Sequence, residues 1–223
     1  MLNVNQTEQT GNRKTMERYF GNNLATVFYI ISGFLIAAGL IGIFFRFYII
    51  ICAAVTIVGI ILFFITIRMK ITDKDYDEPL NKSADSYKKE HIENYSINRK
   101  PLDPETFDLF YGYLFDQPGI KRKVGKDGKM RSSRYYVTAL HADRNGFVIF
   151  YSEYDNLDGH EEHRVIHAHT GDQVSVERPS EKPVFGDFRY TISVQSAEEA
   201  ASLSVHLPDD ALVDEKLSLI EAL

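Results

Sequence analysis

The sequence predicts a two-helix transmembrane hairpin followed by a soluble α+β domain, an antiparallel sheet with a C-terminal helix. Three observations carry this. Between Tyr19 and Ile67 the 223-residue chain has no Asp, Glu or Lys, and Arg46 is the single charge. From about residue 120 the apolar residues alternate with a period of two, punctuated by Asp-Gly, Asn-Gly and Thr-Gly-Asp. The last sixteen residues return to helical spacing.

Residues 1–22 are polar and rich in Asn, Gln and Thr, which predicts a disordered, cytoplasmic N-terminus. The apolar block 24–67 follows. As one helix its 44 residues would run about 66 Å at ~1.5 Å per residue. A bilayer's hydrocarbon core is only ~30 Å thick. Two spans therefore fit where one does not, Leu24–Phe45 and Phe47–Ile67, within a hairpin over 23–68. Arg46 stands at the turn, where its side chain can reach the headgroups. A single tilted span followed by an in-plane helix is the competing arrangement. A cleaved secretory signal has an apolar core of only ~7–15 residues, so none is expected here.

Orientation follows from Lys and Arg near the span ends. Arg13, Lys14 and Arg18 precede the first span, Arg68, Lys70 and Lys74 follow the second, and the turn offers Arg46. The expectation is a multi-pass protein of the cell membrane with both termini cytoplasmic. Cys52 is the chain's one cysteine and lies within the second span. Gly33 and Ala37, and likewise Ala38 and Gly42, recur four apart, a spacing that lets helices approach closely. Ala53, Ala54 and Gly59 are their counterparts in the second span. Packing of the hairpin on itself or self-association through the spans both follow from that pattern.

Residues 69–100 are charged and read as a linker, helical near Ala84–Tyr95. The cytoplasmic α+β domain is expected over 101–223. A helix is predicted from Asp103 as N-cap, Pro104 and Glu105 in the first turn, and a stripe of Phe107, Phe110, Tyr111 and Leu114, stopped by Gln117-Pro118-Gly119. Hairpins are predicted at Asp127-Gly128, at Asp143–Gly146 and at Thr170-Gly171-Asp172. Phe188–Gln195 is a further strand. Ser196 and Glu199 have the spacing of a capping box, while Ser202–Leu207 reads equally as a last strand. Pro208 and the acids after it open a terminal helix with Leu212, Lys216, Leu217 and Ile220 on one face. Strands followed by a terminal helix resemble, in order only, the bacterial pleckstrin-homology-like domains, which often follow membrane spans. That resemblance implies a small barrel and carries over no binding residue.

Two stretches are candidates for function. His160–His169 holds four of the seven histidines. On a strand, alternate residues share a face, so His163, His167 and His169 point one way while Ile166 and Ala168 point to the core. As a metal site they would need three or four converging ligands, with Glu161, Glu162 or Asp172 completing the set. The spacing of His163 and His167 matches HExxH, but Arg164 replaces the catalytic glutamate. A solvent-facing strand face, or a patch that titrates near neutral pH, explains the imidazoles without a metal. No cofactor is expected: there is no phosphate-binding loop, and Ser132, Ser133 and Ser152 have no nucleophile elbow.

The second stretch, Ile120–Arg134, carries Lys121, Arg122, Lys123, Lys126, Lys129, Arg131 and Arg134 against one acid, Asp127, in a chain of net charge −6. Anionic headgroups attract such segments by ~1 kcal/mol per Lys or Arg near the surface. The overall acidity and the absence of aromatics interleaved with the cations, since Tyr135 and Tyr136 only follow them, argue against nucleic acid. The reading is a membrane-anchored, non-enzymatic regulatory or adaptor protein presenting a binding domain to anionic lipid or a protein partner. A membrane-tethered metal-dependent hydrolase using the histidines, and a small accessory subunit of a membrane complex, are the alternatives.

Overall fold

Helices that are apolar on every side have no face for water, and the N-terminal part of the chain has two of them. In the computed structural model, which describes residues 18–21, 23–46, 48–93, 95–97, 100–196 and 200–223, they are α1 (Asn23–Phe44) and α2 (Ile49–Met69). Both are long and apolar enough to cross a membrane. The chain divides into two compact units, Met1–Tyr76 and Asp77–Leu223.

Within the first unit α1 and α2 pack closely, and glycine sets the approach. A Cβ on Gly39 would fall on Thr56 Oγ1, one on Gly42 on Cys52 Sγ, and one on Gly59 would lie 2.8 Å from Ile36 Cγ1. Of the small residues singled out by spacing, Gly42 and Gly59 sit at this contact; Gly33, Ala37 and Ala38 face outward. Gly39 is the position that spacing alone missed. Hydroxyls in the pair are satisfied along their own helices, Thr56 Oγ1 donating to the Cys52 carbonyl at 2.9 Å and Thr66 Oγ1 to that of Leu62 at 2.8 Å. The turn has no glycine, and Arg46 (φ 57°) and Tyr48 (φ 34°) adopt the left-handed backbone in its place. That costs roughly 1–2 kcal/mol per residue. After α2, Thr72 and Asp75 form a reciprocal cap, Thr72 N donating to Asp75 Oδ2 at 2.9 Å and Asp75 N to Thr72 Oγ1 at 3.2 Å. This cap opens α3 (Asp73–Tyr87), which runs on into a π-helical turn, Lys88–Ile92.

Part of the stretch expected as a linker packs within the second unit. Leu80, Tyr87 and Ile92 are buried in one core with Phe107, Tyr135, Val137, Ala139, Val148 and Phe150. Two short pairs follow in the chain: β1 (Ser96–Ile97) with β2 (Lys100–Pro101), and later β4 (Arg122–Val124) with β5 (Met130–Ser132). A four-stranded antiparallel sheet has the order β3 (Asp108–Tyr113), β6 (Arg134–Asp143), β7 (Gly146–Asp155), β8 (His160–His169). A three-stranded sheet has the order β11 (Ala200–Leu207), β10 (Phe188–Gln195), β9 (Gln173–Glu177), and α4 (Ala211–Glu221) closes the chain.

The helix expected from Asp103 is a 3-10 turn, Pro104–Thr106, and then strand β3. Asp103 does cap the turn, accepting from Glu105 N at 3.0 Å. The aromatic run beyond it is β-prone and pairs in full register with β6, from Asp108 opposite Leu140 to Tyr113 opposite Tyr135. The central strands of the four-stranded sheet are buried on both faces. One face meets the π-turn and Phe107; the other shares a core of Tyr136, Ile149, Ile166, Ile192, Val205 and Leu217 with the second sheet and α4. β6 and β7 are accordingly buried along almost their whole length.

The hairpin at Asp143–Gly146 forms as expected, with Asp143 opposite Gly146. Its turn is held by the aspartate, whose Oδ1 accepts from Asn145 N at 2.8 Å and Gly146 N at 3.1 Å. Thr170–Asp172 is a tight turn but not a hairpin. β8 and β9 lie in different sheets, so the barrel is not closed. β11 takes the strand reading of Ser202–Leu207, while Glu199 of the capping box lies outside the described residues. The terminal helix is capped by Asp210, and its buried face is Val213, Leu217 and Ile220, one residue round from the predicted stripe.

Candidate functional site

The basic stretch folds as a β-ribbon, β4–β5, inserted in the connection between β3 and β6. Its turn needs a left-handed residue, supplied by Gly128 at φ 78°, and is tied by Gly125 N to the Lys129 carbonyl at 2.8 Å. The structure divides the seven cations. Arg131 is a core residue, with its side chain 3 % exposed. Its Nε and Nη2 donate to the two oxygens of Asp77 at 2.7 and 2.6 Å, and its Nη1 and Nη2 to those of Asp127, both at 2.8 Å. That guanidinium holds the Asp127 carboxyl well below the usual carboxylate range. Arg134 pairs with Asp155 and donates to Gln117 Oε1 at 2.5 Å. Both arginines are thus engaged by acids of the same chain. Lys121, Arg122, Lys126 and Lys129 are exposed and Lys123 is half-buried, on a ribbon whose single acid is already engaged by Arg131. Arg122 also donates to the Phe115 carbonyl, which leaves its charge at the surface.

The histidines do not converge. Ile166 and Ala168 face the core and His163, His167 and His169 the other side, as the alternation predicts. His167 and His169 approach each other, with ring centroids 5.9 Å apart. His163 instead turns to residues that the sequence did not connect with it. Its Nδ1 lies 2.6 Å from Ser152 Oγ, directly opposite on β7, and Ser152 Oγ lies 2.6 Å from the Tyr87 hydroxyl. Its Nε2 lies 3.3 Å from Glu161 Oε1, and the His91 ring stacks on it at 4.4 Å. Among the described residues no group of three or more His, Cys, Asp or Glu is placed to hold a metal ion.

Serine, histidine and glutamate in a hydrogen-bonded row are the residue types of acyl transfer. Here the serine is a strand residue with 0 % exposure, so a substrate carbonyl has no path to its oxygen. The row is read better as a structural latch. Burial pushes the Tyr87 phenol up to about 12, which keeps it a donor at neutral pH. Burial, and then repulsion from His163, hold His91 below its ordinary value. The hydrogen bond from His163 holds Glu161 below the usual carboxylate range. The latch fastens the π-turn to the edge of the four-stranded sheet.

A second polar network escaped the sequence because its members are far apart in the chain. The Tyr151 hydroxyl lies 2.7 Å from His206 Nδ1, and His206 Nε2 lies 3.2 Å from Asp116 Oδ2. The same hydroxyl donates to Glu153 Oε1 at 2.8 Å. Beside it the Tyr136 hydroxyl donates to Asp187 Oδ2 at 2.5 Å. The Asp116 carboxyl is held low, chiefly by His206. No spacing rule links residues 116, 151 and 206; only the pairing of two sheets does.

Comparison with protein-family models, with curated proteins and with solved structures finds no match to this chain.

Proposed function

We propose that the chain is a membrane-anchored, non-enzymatic binding protein whose β4–β5 ribbon engages anionic lipid headgroups on the cytoplasmic face of the cell membrane. The observation that carries this reading is the ribbon itself: Lys121, Arg122, Lys126 and Lys129 are exposed while its one acid is consumed by Arg131. The excess of Lys and Arg outside the turn supports a cytoplasmic domain. Two earlier helices of the same chain, long and apolar enough to cross a membrane, support a tether to a bilayer. At that surface each exposed cation contributes about 1 kcal/mol, less as salt screens it. The order of strands followed by a terminal helix, similar to that of pleckstrin-homology-like domains, is compatible with a binding module.

Hydrogen exchange of the full chain tests the reading, in nanodiscs of phosphatidylcholine alone and of phosphatidylcholine mixed with phosphatidylglycerol. Amides of residues 121–132 are expected to exchange more slowly in the anionic discs. High salt, or charge reversal at Lys121, Lys126 and Lys129, should abolish the difference. Equal exchange in the two lipids overturns the lipid reading.

A further inference from the structure

Where the ends of β3 and β11 meet the loop leading into β10, a cleft of about 210 Å³ opens beside the Tyr136–Asp187 pair. Its walls include the rings of Phe115 and Phe185, with centroids 6.1 Å apart and planes inclined by 53°. It contains three carboxylates, Asp116, Glu181 and Asp187, against one guanidinium, Arg189.

The charges are not equivalent. Asp116 is engaged, with His206 at 3.2 Å and Arg189 Nη1 at 3.7 Å. Asp187 receives the Tyr136 hydroxyl, and among the described residues no Lys, Arg or His lies within ion-pair distance of it. Tyr136 is buried, and burial together with the charge of Asp187 raises its phenol far above the ordinary range, so it remains a donor. A hydroxyl donor beneath a carboxylate fixes its direction.

The surroundings are built to leave that carboxylate room. A Cβ at position 112 on β3 would stand 2.6 Å from Asp187 Oδ2 and 3.2 Å from the Tyr136 ring, and the residue is glycine. Gly186, in the left-handed conformation at φ 81°, brings the loop backbone so near Phe115 that a Cβ there would lie 2.7 Å from the ring. Phe185 next to it stays 46 % exposed, a large aromatic face left in water.

We propose that this cleft binds the ammonium or guanidinium end of an organic cation, with the charge on Asp187 and the adjoining methylenes against the outer edges of Phe115 and Phe185. An oriented carboxylate supplies a charge-assisted bond, and a ring face attracts a cation within about 6 Å. The volume is smaller than the roughly 300–1,000 Å³ of sites for drug-sized ligands, so it suits one such group and not a large molecule. The group has two sources, a free small amine or a basic side chain of a peptide.

Saturation-transfer NMR on the full chain in a neutral detergent tests this, with phenethylamine, its neutral counterpart phenethyl alcohol, and the peptide acetyl-Gly-Lys-Gly-amide as probes. Transfer to the amine is expected, with little to the alcohol. Asp187→Asn should weaken amine binding about tenfold or more while still accepting from Tyr136. Phe185→Ala, at an exposed site that folding does not need, should weaken it as well. Tighter binding of the peptide assigns the source to a partner's side chain; binding of the amine alone assigns it to a free metabolite-sized amine. Equal transfer to amine and alcohol, or amine binding unchanged in Asp187→Asn, overturns the proposal.

Discussion

The hairpin α1–α2 and the helix α3 are neighbours in sequence and opposites in what they disclose. The hairpin is apolar all round, so composition alone announces it, and its interior contact depends on three glycines that composition does not rank. α3 is written in charged residues, DKDYDEPLNKSADSY, yet Leu80, Ala84 and Tyr87 recur at four and three and are buried. A net polar segment conceals a packing helix whenever its few apolar residues share one face. The comparison separates two questions that a sequence answers differently: whether a segment leaves water, and which side of it does.

The largest expected effect is at Tyr87. If α3 is part of the second unit's core, Tyr87→Ala removes a buried ring and should destabilise that unit by about 3–5 kcal/mol in urea unfolding of the full chain. Tyr87→Phe keeps the ring, loses the bond to Ser152, and should cost about 1 kcal/mol. A linker would show no effect for either.

The hairpin gives the next largest effect. Gly39→Ile places a side chain against Thr56 and the Cys52 carbonyl, and overpacking of that kind costs typically 1–3 kcal/mol. Ala37→Ile, on the outward face of the same helix, should stay within about 0.5 kcal/mol. Loss of helicity on titration with sodium dodecyl sulfate compares the two. Equal costs would mean that Gly39 and Ala37 do not differ in their surroundings.

The smallest effect is the pH dependence of the latch. His91 titrates below its ordinary 6.5 in the folded chain, so as pH falls below that value the unfolded chain takes up the proton first and stability drops. Glu161, held below 4.5, adds stability that is present above that value and lost as pH falls further. Both groups are partly exposed, so each contribution is below about 1 kcal/mol. The protection of amides 80–92, measured relative to their intrinsic exchange rate at each pH, should fall between about pH 7.5 and about pH 5.5, and His91→Phe should remove that first change. A flat profile in the unmodified chain would detach His91 from the stability of the π-turn.

Much of the fold was legible for physical reasons. The hairpin at Asp143–Gly146 and the turn at Asp127-Gly128 are set by local chemistry that a short window contains. So is the cap of α4 at Asp210. The strand β3 was not, because the apolar residues Phe107, Phe110, Tyr111 and Leu114 satisfy a helical spacing, while the strand that contains two of them is only half-buried. Charge in the ribbon was legible, but its division was not: nothing local distinguishes Arg131, which reaches Asp77 54 residues away, from exposed Lys129. The cleft at Asp187 was illegible altogether, since Tyr136, Gly112 and Phe115 meet it only once both sheets exist.

Under the proposed function, two crossings return the chain to the side from which it started. In intact cells carrying Cys52→Ser, an impermeant maleimide should label a cysteine placed at Arg46 and spare one placed at Ser218 until the membrane is opened. Labelling of Ser218→Cys in intact cells would put the soluble unit on the other side and contradict it.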